Sequence, residues 1–382
     1  MASRPRLPLT VLALGLTSFF TDVASEAVFP LLPAFLATLG AGPVFLGLLE
    51  GVADAVSAFL KYQSGRWADR GGKKGFVLAG YGLATAVRPL LALAAAPWHV
   101  LTIRVVDRVG KGLRSAPRDA ILAGAVSAEE SGRAFGFHRA MDHAGAVVGP
   151  LLATTLLWLG LEVRTVFALT LVPGLLSVAS LFVVKEPEQR GADGAPPDDA
   201  PLPPRLKELL VILGFFALAN SSDAFLLVRA SELGVPTAWL PTAWLVLHVS
   251  KMIWSARGGA WSDSVPRHRL ILAGWAVYAV SYGLFAVATA AWQAWVLLAV
   301  YGAFAGLTEP VEKALIKELV PKTQHGRAFG AYHGTLGALA IPAGLLTGFL
   351  WQRFGAPVAL GVGALVAGLA AVWLVRWVRR GR

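Results

Sequence analysis

The chain has 382 residues, of which 56% are hydrophobic and only 15% are charged. This balance excludes a soluble globular protein, because a soluble domain of this length needs far more polar residues to cover its core. The sequence contains no cysteine, which excludes disulfide bonds and thiolate metal sites.

Twelve apolar runs are about as long as a helix that crosses a hydrocarbon core of ~30 Å. In the first half of the chain the runs are predicted at Leu7–Leu36, Val44–Tyr62, Gly75–Ala95, Val100–Ala123, Phe135–Leu159 and Val166–Val184. In the second half they are predicted at Leu206–Ser231, Ala238–Ser255, Leu270–Ala290, Trp292–Ile316, Phe329–Trp351 and Val358–Val375. The alternating pattern of a membrane β-barrel is missing, so the fold class is an all-α membrane protein with twelve transmembrane helices.

The net charge of +11 could indicate a nucleic-acid partner, but its placement does not favour one. Lys and Arg concentrate on alternate loops and at both ends of the chain, as in Arg66, Lys74, Arg257 and Arg379. This pattern predicts that both termini face the cytoplasm and that the protein is a multi-pass protein of the cytoplasmic (inner) membrane. The basicity is therefore explained by topology, and we predict no nucleic-acid partner.

One short segment occurs twice: GRAFG begins at Gly132 and again at Gly326, a spacing of 326 − 132 = 194 residues. The same shift of 194 carries Gly65–Asp69 (GRWAD) onto Gly259–Asp263 (GAWSD). Because separate segments keep one register, the chain is interpreted as a tandem duplication.

The duplication predicts two bundles of six helices each, with boundaries at 1–185 and 206–382. The segment 186–205 between them is rich in Pro, Gly and Asp and is predicted to be a cytoplasmic linker. We expect the chain to act as a monomer.

The stretch GRWADRGGKK, from Gly65 to Lys74, resembles the G-x-x-x-D-R-x-G-R-R loop of the major facilitator superfamily. Gly65 permits close helix packing, and Asp69 can accept hydrogen bonds or cap a neighbouring helix N-terminus. The resemblance implies a transporter of twelve helices in two halves, in which this loop latches the halves together. For Arg70 and Lys73, simple membrane topology is an equally good explanation.

Carboxylates inside the predicted helices are candidates for proton coupling. Asp22 and Glu26 lie four residues apart on the first helix, and Glu50 and Asp54 have the same spacing on the second. Two neighbouring carboxylates disfavour double ionisation, so one of them is expected to carry a proton near neutral pH. Structural ion pairing with basic residues of other helices is the alternative for each acid.

The fourth predicted helix carries a basic stripe. At ~100° per residue, Arg104, Arg108 and Lys111 fall on one face, which predicts a cavity wall that binds an anionic or zwitterionic substrate. The same stripe could instead neutralise the acids of the first two helices. In the resemblance, Arg104 matches the arginine of the superfamily's R-x-x-Q-G motif.

The fifth helix combines ionisable and hinge residues. Arg139, Asp142 and His143 share a face, and His143 can titrate near physiological pH. Gly149-Pro150 resembles the g-x-x-x-G-P-x-x-G-G motif of proton antiporters in the superfamily, with ordinary helix packing as the alternative. This motif favours export over import.

On the seventh helix, polar residues near mid-membrane are candidates for substrate contacts: Asn220, Asp223 and Arg229. The leading prediction is a secondary transporter that works by alternating access and exports a small charged or amphiphilic solute in exchange for protons. Proton-coupled uptake of an organic anion is the first alternative, and a membrane-embedded lipid enzyme is a weaker one. We predict a transporter rather than an enzyme, whose partners are its solute, protons and the lipid bilayer, without cofactor or metal.

Overall fold

The computed structural model describes residues 7–41, 43–70, 72–186, 200–220, 222–236 and 239–380. Within these residues the chain is helical and contains no β-strand. Most of the predicted linker, 187–199, lies outside the described residues, as do the side chains of Glu50 and Arg70.

The described helices follow the predicted apolar runs. Those of the first half are α1 Leu9–Val28, α2 Leu32–Thr38, α3 Pro43–Arg70, α4 Lys73–Val87, α5 Pro97–Gly124, α6 Ser131–Trp158, α7 Val163–Leu169 and α8 Leu171–Phe182. Those of the second half are α9 Pro204–Ala219, α10 Ala224–Glu232, α11 Leu240–Trp261, α12 Arg267–Val287, α13 Ala291–Leu319, α14 His325–Phe354 and α15 Ala356–Arg379.

Eight helical segments within the described residues are long and apolar enough to cross a membrane. The second, fourth and eighth predicted runs correspond to α3, α5 and α11, which are long helices with several charged residues. The seventh run is divided between α9 and α10. The protein is therefore a multi-pass helical membrane protein, and the count of twelve spans stays a prediction.

The chain separates into two compact units that do not coincide with simple sequence halves. The first unit contains Met1–Ser127, Met141–Ala200 and Pro321–Gly334. The second contains Ala128–Ala140, Pro201–Val320 and Thr335–Arg382. The helices α6 and α14, which both begin with the repeated GRAFG segment, each contribute their first turns to one unit and the rest to the other. The bundle boundaries inferred from the duplication stay a prediction.

Aromatic side chains form much of the core of the second unit. Tyr278, Tyr282 and Tyr301 are all buried, and Phe216 stacks on Trp275 with ring centroids 4.5 Å apart. These large rings pack α9, α12 and α13 together and surround the break between α9 and α10, where the Tyr278 hydroxyl donates a hydrogen bond of 2.5 Å to the carbonyl of Ala219.

The duplication is also present in the packing of each unit. In the first unit, a Cβ atom on Gly65 of α3 would lie 2.9 Å from the Cα of Gly330 on α14. In the second unit, a Cβ atom on Gly136 of α6 would lie 2.7 Å from the Cα of Gly259 on α11. The two crossings are related by the shift of 194 residues, and both bring helix backbones into contact where only glycine fits.

These close glycine contacts predict that adding one methyl group destabilises the protein. Gly65→Ala and Gly259→Ala are each expected to lower the free energy of unfolding by about 1–3 kcal/mol, because the new Cβ meets backbone atoms that cannot rotate away. The measurement is the thermal unfolding midpoint of the purified protein in detergent.

Gly51→Ala, on the same helix as Gly65, is the matched control. No described atom lies within 4 Å of a Cβ at Gly51. The control is therefore expected to be neutral or to stabilise the helix by about 0.5–1 kcal/mol. Equal stability of Gly65→Ala and Gly51→Ala would contradict the packing argument.

Candidate functional site

The carboxylate of Asp69 caps the helix that the second GRAFG segment begins. Its two oxygens accept hydrogen bonds from the backbone N–H groups of Gly326, at 2.9 Å, and Arg327, at 2.7 Å. Both N–H groups lie in the first turn of α14, where they have no intrahelical partner. The helix cap expected of Asp69 is present, and its role as a conformational latch stays a prediction.

The second copy of the loop makes the same contact in the second unit. Asp263 accepts hydrogen bonds from the N–H groups of Gly132, at 2.8 Å, and Arg133, at 2.9 Å, in the first turn of α6. Both the acid and the helix start are displaced by 194 residues from Asp69 and Gly326. The GRAFG segment therefore occurs twice because each copy supplies a glycine-lined helix start to an aspartate of the other sequence half.

Burial changes the acidity of both capping carboxyls, which lie beyond the predicted spans. Desolvation raises the pKa of Asp69 from 3.8 to about 6, against the opposing effects of the Arg327 N–H, the Lys73 charge and the Gly326 N–H. Burial likewise raises the pKa of Asp263. Since a pKa of about 6 lies below 7, the Asp69 carboxyl is mostly ionised at neutral pH and can accept both hydrogen bonds.

The lysines of the loop contact the end of α8. The backbone N–H groups of Lys73 and Lys74 donate to the carboxylate of Glu186 at 2.8 and 3.2 Å, and the Lys74 ammonium donates to the carbonyl of Val184 at 2.6 Å. Glu186 thus caps the N-terminus of α4, a contact that the sequence did not indicate. For Lys73, both the latch and the topological explanation stay open.

A buried ion-pair network joins α5 to the end of α4. Arg88 donates a hydrogen bond of 2.7 Å to one oxygen of Asp107, and Arg104 lies 3.8 Å from the other oxygen. The three side chains are at most 5% exposed. A second guanidinium nitrogen of Arg88 donates to the carbonyl of Thr21 on α1. This network fits a structural role, so the substrate role of Arg104 stays a prediction without support from its geometry.

One helical turn beyond Asp107 on α5 lies a group of charged side chains with a different environment. Lys111 is exposed, and Asp22 and Glu26 of α1 are half-buried. Within the described residues, neither the two carboxylates nor the Lys111 ammonium makes a hydrogen bond or an ion pair. Asp142, Glu26 and Lys111 are close enough to Asp22 to act on it electrostatically. We name the three side chains of Asp22, Glu26 and Lys111 the open cluster; all of them belong to the first unit.

The glycines of α6 are in register with the acids of α1. A Cβ atom on Gly145 would lie 2.8 Å from the Cβ of Asp22, and one on Gly149 would lie 3.1 Å from the Cβ of Glu26. Both pairs are spaced by four residues, so one face of α6 packs directly on the acidic face of α1. Any movement of α6 about Pro150 therefore alters the surroundings of both carboxylates.

The remaining predicted residues of α3 and α6 are distributed over both units. Arg108 lies 3.7 Å from Asp54, whose side chain is 67% exposed. His143 is buried next to Asp142 in the first unit. Arg139 belongs to the second unit and pairs with Glu309 of α13. The prediction that Arg139, Asp142 and His143 act together from one helix face stays a prediction.

In the second unit, the break between α9 and α10 holds an acid–base pair. Asp223 pairs with Lys251 of α11 and accepts a hydrogen bond of 2.8 Å from the hydroxyl of Tyr301 on α13. Asn220 is half-buried at the start of the break. Arg229 donates to the carbonyls of Phe285 and Ala288 at the end of α12, at 3.0 and 2.9 Å. That contact stabilises a helix terminus, and a substrate role for Arg229 stays a prediction.

Sequence reasoning missed several partners. From the sequence, Arg88 was assigned no role, yet its guanidinium is buried against Asp107. A lone arginine in an apolar run is itself a signal, because such a charge requires an acid at the same depth. Lys251 and Tyr301 do not belong to a recognisable sequence motif. Their role is evident only from their distances to Asp223.

Membrane-length helices in two repeat-related sets, with unpaired acids and a base inside one unit, are features of a membrane transporter. The family model of the Major Facilitator Superfamily matches residues 14–256 and 252–382. An uncharacterised MFS-type transporter of Methanocaldococcus jannaschii is 30% identical over 356 residues, which cover 91% of this chain and 89% of the relative. The chain belongs to the Major Facilitator Superfamily.

Two further comparisons describe its similarity within that family. The multidrug resistance protein MdtH of Cronobacter sakazakii is 28% identical over 321 residues, which cover 80% of this chain and 77% of MdtH. The crystal structure of the human organic anion transporter MFSD10 is similar in fold, with a TM-score of 0.83, 15% identity and coverage of 97% of this chain and all of that one.

Proposed function

We propose that the protein is a secondary active transporter that exports a small charged or amphiphilic solute in exchange for protons, by alternating access. The open cluster carries this proposal. Charged side chains at membrane depth normally pair with one another or face water, and each costs at least ~2.5 kcal/mol on insertion scales. Asp22 and Glu26 have no pairing partner within the described residues, whereas Asp107 in the same unit is paired with two arginines. Proton binding and release during a transport cycle is the best explanation for such unpaired acids.

Packing of α6 on α1 supports a coupling between protonation and conformation. The two glycines bring the α6 backbone against the Cβ atoms of Asp22 and Glu26. A change of charge on either acid therefore acts directly on the contact between the two helices. Export is favoured by the antiporter-like Gly149-Pro150 motif and by the similarity to a protein named for multidrug resistance.

Proton-coupled uptake of an organic anion is the second candidate. It is favoured by the basic residues Arg108 and Lys111 near the acids, and by the fold shared with a human organic anion transporter. The two candidates differ in the direction in which protons move relative to the solute. The bacterial and archaeal relatives favour the cytoplasmic membrane as the location.

The test uses proteoliposomes that contain the pH indicator pyranine and are loaded with a fluorescent organic anion or with the amphiphilic cation ethidium. After dilution, solute leaves the lumen. Exchange predicts that the lumen becomes more acidic as protons enter, whereas symport predicts that it becomes more alkaline. Because the sign depends on coupling alone, the orientation of the protein in the vesicle does not affect the result. Solute efflux without any pH change would refute proton coupling.

A further inference from the structure

A groove of about 570 Å³ lies between α9 and α15 in the second unit, apart from the charges described above. Its walls are formed by Glu208, Val211, Phe215, Leu369, Val372, Trp373, Arg376, Trp377 and Arg380. The α15 side of the groove is one helix face, because its residues recur at spacings of three and four.

The groove changes from apolar to basic along its length. Val211, Leu369 and Val372 are each more than half exposed, which suits contact with hydrocarbon rather than water. Trp373, 41% exposed, follows them, and tryptophan is the residue enriched where a membrane meets water. Arg376 and Arg380 then end the groove in the last turn of α15 and just beyond it.

Within the described residues, no side chain makes a hydrogen bond or an ion pair with Arg376 or Arg380. A third guanidinium, that of Arg205, lies 4.8 Å above the ring of Trp377 and adds positive charge at the same end. Among the described residues, Glu208 is the one acid that lines the groove, so the arginines outnumber it.

We propose that this groove binds one anionic phospholipid. The phosphate lies between Arg376 and Arg380, which can each hold phosphate oxygens with two N–H groups. The acyl chains lie along Val211, Leu369 and Val372. A single lipid contacts both the basic end and the apolar wall of the groove, whereas a soluble anion leaves the apolar wall uncovered.

Native mass spectrometry of the full-length protein, titrated in detergent with phosphatidylglycerol, tests the proposal. Arg376→Gln and Arg380→Gln are each expected to weaken binding of the first lipid about fivefold, the effect of about one basic residue at a membrane surface. Arg379→Gln is the matched control, because it removes the same charge from the same helical turn but lies outside the groove. It is expected to change binding less than twofold.

A second variant tests the apolar wall without changing charge. Leu369→Trp fills the groove at an exposed position and is expected to lower occupancy by phosphatidylglycerol. Helix content by circular dichroism verifies that each variant is folded. Equal weakening by Arg379→Gln, or equally tight binding of phosphatidylcholine to the unmodified protein, would overturn the proposal, since either result means that no site selects the anionic lipid.

Discussion

Asp22→Asn and Glu26→Gln are each expected to abolish proton-linked transport while the protein still folds. Each substitution keeps the size of the side chain and removes its ability to release a proton. The two carboxylates have no hydrogen-bond or ion-pair partner within the described residues, so their neutralisation leaves no buried cation behind. A loss of transport with an unchanged unfolding midpoint is the result that a proton-coupling role requires.

The measurement combines pyranine-reported proton movement and solute efflux in the same proteoliposomes. Glu162→Gln is the control, because Glu162 is exposed and lies at the N-terminus of the short helix α7. The control is expected to retain full transport. Normal proton movement in both the Asp22 and the Glu26 variants would falsify the assignment of coupling to the open cluster.

In contrast to the Asp22 and Glu26 variants, Asp107→Asn is expected to cause a large loss of stability. Asp107 is the acid that Arg88 and Arg104 share, and its replacement takes this carboxylate away from two buried guanidinium groups. Breaking a buried ion pair by removing one side costs about 3–5 kcal/mol. Chemical unfolding in detergent, followed by the helical circular dichroism signal, measures the change.

The ion pair between Arg108 of α5 and Asp54 of α3 provides the comparison. Asp54→Asn removes one partner of Arg108, but the Asp54 side chain is 67% exposed. Exposed ion pairs are worth about 0.2–1 kcal/mol, so this control is expected to unfold almost like the unmodified protein. If the two variants lose equal stability, Asp107 is not the centre of a dry structural network.

Together the two experiments separate charges that act in the transport cycle from charges that hold the fold. The sequence places all of them on a few helices and cannot distinguish them. Arg104 and Lys111 are seven residues apart on one helical stripe and were predicted to share a role. In the structure, Arg104 is buried against Asp107, whereas Lys111 is exposed near Asp22.

Local and periodic features could be predicted from the amino-acid sequence alone. Membrane embedding follows from long apolar runs, because their length and composition suit hydrocarbon and not water. The duplication follows from one spacing of 194 residues, and the cap formed by Asp69 follows from an acid next to a glycine-rich loop. Each of these inferences depends on residues close together in sequence or on a repeated register.

Contacts between side chains that are far apart in the sequence could not be predicted in this way. Gly326 is 257 residues from Asp69, and Lys251 meets Asp223 only because α11 packs beside the break between α9 and α10. Whether a charge is paired or open depends on which helices pack together and on distances of a few ångströms. Composition and periodicity contain no such distances, because many helix arrangements satisfy the same apolar pattern.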